Sequence, residues 1–205
     1  VHYGWTDITA THISARIPGN DDQYLLNCFD LMFDEISAST LMRVTWDGEH
    51  EDKSRNLNKA GHLIHSAMLQ ARPDINFVMH THTRAGMAVA GTQEGLQQIS
   101  MMSTAFHDRI AYHDYEGVSL YLDERERLLA NLGDKRAMIL RNHGILTVGQ
   151  SIPETFLRRR RGSRGTSISA STSEVASSLM LPTGLGLPTR GKAPLKQGGC
   201  RERRL

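Results

Sequence analysis

The sequence predicts an α/β domain in which helices pack on a central sheet. Short β-prone runs alternate with stretches of helical period, a pattern that folds as a sheet covered by helices. Its 205 residues, 39% hydrophobic and 22% charged, suit one domain with a sizeable core. No run of about 18 apolar residues occurs, so no helical membrane span is expected.

Residues 11–17 alternate as a half-buried strand, and the turn Pro18-Gly19-Asn20-Asp21-Asp22 lets residues 24–27 pair back as a hairpin. Residues 43–46 form another strand, closed by Asp47-Gly48. From 58 to 71, Leu63, Ile64, Ala67 and Met68 share one helical face, with Asn58 or Asn56 as the cap. Pro73-Asp74 ends that helix and leads into the β-prone run 75–80. A short helix over 84–90 stops at Gly91, a strand covers 109–112, and a helix over 123–132 stops at Gly133. Strands at 137–140 and 145–148 are separated by Arg141-Asn142-His143-Gly144. No internal repeat is present.

After Phe156 the composition changes. Four consecutive arginines at 158–161 precede a Ser/Thr-rich and then a Gly/Pro-rich stretch, and no aromatic residue or histidine follows Phe156. Such a segment offers little apolar surface to offset its ordering entropy, so 157–205 is expected to be disordered. It reads as a basic nucleic-acid-binding tail, a linker, or a sequence out of its proper frame. Residues 151–156 look like a helix start with nothing helical behind it. Residues 157–205 carry eleven Lys/Arg and two acidic residues, whereas 1–156 carry thirteen basic and twenty acidic. The acidic body gives no electrostatic reason to bind nucleic acid.

The first residues, Val1-His2-Tyr3-Gly4-Trp5, lack both the basic start and the apolar stretch of a secretory signal, and no initiator Met is present. The chain is therefore read as beginning inside a longer frame. Cys28 and Cys200 are expected to be free thiols in a reducing cytoplasm.

Ten histidines need explaining. His2, His50 and His107 belong to no pattern and read as surface or turn residues. His62 and His65 lie on the predicted helix. His80-Thr81-His82 stands at the C-terminal end of a hydrophobic strand, where α/β folds place their sites. Residues i and i+2 of extended chain point to one side, so both rings can reach one ion at about 2.0–2.1 Å. His143 sits in the break between two apolar strands, beside a glycine that permits a sharp turn. Three histidines from two strand ends make a facial set with open positions, the layout of a catalytic metal site.

His80-Thr81-His82-Thr83 after Ala71-Arg72-Pro73-Asp74, with Arg141-Asn142-His143-Gly144 downstream, resembles the class II aldolase/adducin family. Gly4-Trp5-Thr6-Asp7, His12-Ile13-Ser14-Ala15-Arg16 and Ala111-Tyr112-His113-Asp114-Tyr115-Glu116-Gly117 are similar to its adducin-like bacterial branch. The resemblance covers residues 1–156. It implies a three-layer α/β/α fold with a largely antiparallel central sheet. It also implies a divalent ion, zinc or else manganese, on His80, His82 and His143. An aldolase-like lyase or isomerase is expected, acting on a small hydroxy-carbonyl compound through a metal-stabilised enediolate. A homotetramer is the family's usual assembly. The alternative is a non-catalytic adducin-like module or an inactive truncated remnant.

The aldolases' acid/base carboxylate falls here at Gly61, and His65, one turn further on, is a candidate substitute. Glu116 and His113 are the other acid/base candidates. The aldolases' phosphate-binding Gly-Asn pair stands here as Thr11-His12, and their Thr/Ser-Gly turn near Cys28 to Asp30 is absent, so the substrate is expected to lack phosphate. The family's last part supplies covering helices and a site-closing tyrosine, and neither is expected from 157–205.

Overall fold

A computed structural model describes residues 1–117 and 123–179. Seven strands form one sheet: β1 (His12–Arg16), β2 (Gln23–Asn27), β3 (Leu41–Thr45), β4 (Phe77–Thr81), β5 (Ile110–His113), β6 (Ala137–Leu140) and β7 (Gly144–Gly149). Their order across the sheet is β3-β2-β1-β4-β7-β6-β5. Every neighbouring pair is antiparallel except β5–β6. The helices are α1 (Lys59–Ala71), α2 (Arg84–Ala90), α3 (Met101–Thr104), α4 (Glu124–Leu132) and α5 (Ile152–Leu179).

Alternation along the strands feeds two cores. Met138 and Leu140 of β6 and Leu146 and Val148 of β7 pack with Leu63, Ile64 and Met68 of α1 and Leu128 and Leu132 of α4. Ala137, Ile139 and Ile145 face the other way, toward Val89 and Ala90 of α2, Phe106, and Ala170 of α5. With both faces buried, β6 and β7 read as continuous apolar runs. The result is the three-layer α/β/α arrangement with a largely antiparallel sheet.

Local chemistry sets the element ends. Asn58 caps α1 by accepting from the Gly61 N–H at 2.8 Å, while Asn56 is held by the Asp30 carboxylate at 2.6 Å. Thr83 caps α2 from the Gly86 N–H at 3.2 Å, so the chain turns into α2 directly behind His82.

The expected disorder from residue 157 does not hold over the described part: α5 runs through Phe156 and on to Leu179. The reason is a narrow inner stripe. Thr155, Arg159, Gly162, Thr166 and Ser169 recur at helical spacing and are buried. Apart from Arg159 these side chains are small, which lets α5 lie close to Phe106 and to Ser103, as the Gly162 and Gly165 contacts show. The arginine run is absorbed piecewise. Arg158 pairs with Glu154 at 2.6 Å, Arg160 lies 5.5 Å over the Tyr3 ring, and Arg159 donates to Thr81 and Thr83. The sheet therefore has the covering helix that the composition did not promise. Residues 180–205, with Cys200, lie outside the described residues; Cys28 is a buried free thiol. Among the described residues no helix is long and apolar enough to cross a membrane.

At the other end of the sheet Asp74 binds Arg72 at 2.7 Å and Arg136 at 2.6 Å. The hydrogen bond from Arg72, with the charges of Arg136 and Arg72, holds the Asp74 carboxyl well below the usual carboxylate range. Because its folded pKa is depressed, its stabilisation is full above the ordinary Asp value of about 3.9 and disappears as pH falls toward the folded pKa. The side chain is 38% exposed, so solvent screens the pair. Asp74→Asn is expected to cost about 1 kcal/mol at pH 7. Urea unfolding at pH 7 and pH 3 should show that difference shrinking at the lower pH; a constant difference would refute the assignment.

Candidate metal centre

His80 lies on β4, with His12 of β1 opposite it on one side and Leu146 of β7 on the other. Directly opposed residues face the same side of a sheet, and the His12 and His80 ring centroids are 4.8 Å apart. His82 follows the end of the strand, and its Nε2 comes within 2.8 Å of the His80 Nε2. His143 enters from the β6–β7 loop. The residue that turns this loop is Asn142, at φ 55°, rather than the expected Gly144. Gly144 is required for space: a Cβ there would lie 2.8 Å from the Thr81 carbonyl oxygen and 3.0 Å from the His82 ring.

The three predicted ligands are thus brought together, with one nitrogen from each of His80, His82 and His143 within 4.8 Å of the others. Burial, with the neighbouring histidines, holds His80 well below the ordinary histidine range, and burial and His82 bring His143 to about 4. These two rings are uncharged at neutral pH and keep lone pairs for a cation. The outer nitrogen of His82, Nδ1, lies 3.1 Å from the Asp7 carboxylate, the carboxylate–histidine pairing that orients metal-binding imidazoles. A convergent imidazole set with a carboxylate behind one ring fits a divalent ion. His80 Nδ1 is buried without a hydrogen-bond partner among the described residues.

The cluster opens on a cavity of about 640 Å³ whose walls include His12, Lys59, His82, Tyr115 and His143. Of the acid/base candidates, His65 is fully buried, and its two nitrogens are taken by His12 and Ser14. Glu116 is gripped by Arg127 at 2.7 and 3.0 Å, which lowers its pKa. His113 is buried against Asn131 at 2.7 Å. None of the three lines the cavity. His12, Asp7 and Tyr115 do the local work that sequence reasoning missed. The signal for each was membership of a recognisable motif, without any indication of role.

A largely antiparallel sheet between helical layers, carrying three imidazoles where β4 ends and β6 turns into β7, defines an α/β/α domain of the class II aldolase type. The profile of the Class II Aldolase and Adducin N-terminal domain matches residues 1–159. A Caulobacter vibrioides protein of the class 2 aldolase type is 46% identical over 76% of this chain and 61% of its own length. Mouse alpha-adducin is 41% identical over 75% of this chain, which covers 21% of that protein. The chain thus spans about three-fifths of the former relative and one-fifth of the latter. Among solved structures, an aldolase II superfamily protein from Pseudomonas syringae superposes with TM-score 0.83 at 45% identity, covering 88% of this chain and 73% of that one. An L-fuculose 1-phosphate aldolase from Glaciozyma antarctica gives TM-score 0.74 at 26% identity, covering 92% and 71%. The chain belongs to the class II aldolase/adducin family.

Proposed function

We propose that this domain is an aldolase-like, metal-dependent lyase or isomerase acting on a small, non-phosphorylated hydroxy-carbonyl compound. His80, His82 and His143 would hold the divalent ion, zinc first and manganese second. The observation that carries this reading is their convergence beside a cavity large enough for such a substrate, whose wall His82 and His143 share. When bound, the ion supplies Lewis-acid stabilisation of negative charge developing on the substrate oxygens. The protein's own groups orient and enclose. Asp7 fixes the His82 ring, and Tyr115, its ring 6.5 Å from His143, stands at the cavity edge. Lys59 is the one Lys or Arg among the described lining residues, which suits a compound without phosphate. A homotetramer in the cytoplasm completes the proposal; light scattering reads the assembly.

Metal content per chain after exhaustive dialysis, by elemental mass spectrometry, is the test. About one ion per chain, with turnover of a hydroxy-carbonyl substrate, is expected of a three-histidine catalytic site. Similarity to alpha-adducin favours a second reading, a non-catalytic binding module. A folded protein without metal would select it.

A further inference from the structure

His12 is 3% exposed and rests directly on Gly61: a Cβ at that glycine would lie 2.9 Å from two atoms of the His12 ring. The missing side chain at 61 makes the room that His12 occupies. From there a hydrogen-bonded chain runs inward. His12 Nδ1 meets His65 Nε2 at 2.8 Å, and His65 Nδ1 meets Ser14 Oγ at 2.7 Å. Ser14 and His65 are 2% and 0% exposed. At its outer end the chain reaches the cavity wall, which His12 shares with His82 and His143.

Ser14 sets the direction of this chain. Its hydroxyl has one proton, and a buried O–H without an acceptor costs about 1–3 kcal/mol. Among the described residues His65 Nδ1 is the hydrogen-bond partner of Ser14 Oγ. Ser14 therefore donates, and His65 Nδ1 accepts and carries no proton. The His65 proton then sits on Nε2 and is donated to His12 Nδ1. The His12 proton is left on Nε2, the nitrogen His65 does not engage.

We propose that Ser14 and His65 lock His12 as its Nε2–H tautomer, so that His12 presents a hydrogen-bond donor to a substrate oxygen in the histidine-lined cavity. The inference rests on the reading of that cavity as the substrate site. His80, His82 and His143 offer lone pairs to a cation, and His12 adds the one donor aimed from β1. A donor fixed beforehand stabilises charge growing on an oxygen without reorganising during reaction. His12 is the contacting residue, and His65 and Ser14 are positioning residues.

Long-range ¹H–¹⁵N correlation spectra of the histidine-labelled full chain test the tautomers directly. Protonated Nε2 and bare Nδ1 are expected on both His12 and His65; the reverse pattern on either overturns the proposal. Ser14→Ala, which removes the proton that sets direction, is expected to populate the opposite tautomers. An unchanged pattern would overturn the role of Ser14. Calorimetric binding of acetohydroxamate to the zinc-loaded protein tests the contact with substrate. His12→Phe and Gly61→Ala, the second displacing His12 while removing no polar group, should each weaken binding at least about tenfold at unchanged zinc content. Equal affinity in both folded variants would overturn it. Absence of zinc from the wild-type chain sinks the metal reading instead, and the tautomer spectra still decide the hydrogen-bond chain.

Discussion

His80→Ala and His143→Ala are each expected to take the dialysed protein from about one bound ion per chain to below a tenth. A site of three imidazoles loses a third of its donors with either change. Neither position has a substitute at hand, since His12 commits Nδ1 to His65, and Asp7 stands behind His82. His143 lies on the cavity wall, so its loss should spare folding; His80 is fully buried, so circular dichroism must show that variant folded before its metal content is read. His50→Ala is the control. That ring contacts the Asp52 carbonyl at 3.0 Å, far from the cluster in the sheet, and its loss should leave metal content unchanged. Equal metal in all three proteins would show that the ligands have been misassigned.

Gly144→Ala should cost about 2 kcal/mol and empty the site at the same time. The added methyl would meet the Thr81 carbonyl oxygen at 2.8 Å and the His82 and His80 rings at 3.0 and 3.3 Å. The first of these is backbone in the middle of the His80–His82 run, so relief requires β4 and β7 to part. Gly162→Ala gives the opposite expectation. It lies inside α5, and the nearest atom to a new Cβ is the Phe106 ring at 3.6 Å, an ordinary contact. Replacing a helical glycine there should stabilise by about 0.5–1 kcal/mol. Urea unfolding of the two variants reads both signs. No change on Gly162→Ala would mean that residues beyond Phe156 do not form the packed helix, and a loss would mean that α5 sits closer to Phe106 than described.

Much of the architecture could be read from local pattern. Strands at β4, β6 and β7 and helices α1, α2 and α4 announce themselves by period and by caps, since those signals act over a few residues. The long α5 did not. Its inner face is made of Arg159 and otherwise Thr, Gly and Ser rather than Leu or Ile, so it carries almost no hydrophobic signature. It is helical because α2 and α3 offer a close, shallow surface that small side chains fit. Gly144 looks locally like the turning residue, although the turn belongs to Asn142; a clash with Thr81, 63 residues away in sequence, cannot be seen locally.

The sequence by itself determined the family, the α/β class and the three clustered histidines. The i, i+2 spacing in a strand and a histidine in a strand-to-strand break are local facts that survive folding unchanged. Only the tertiary structure decided which other groups reach the cavity. His65 is withdrawn behind His12, Glu116 is taken by Arg127, and Asp7 comes up behind His82 across 75 residues of chain. Those outcomes depend on the β1–β4 register and on the distance between β1 and α1. Such long-range geometry is set by the packing of the whole sheet, which no window of sequence contains.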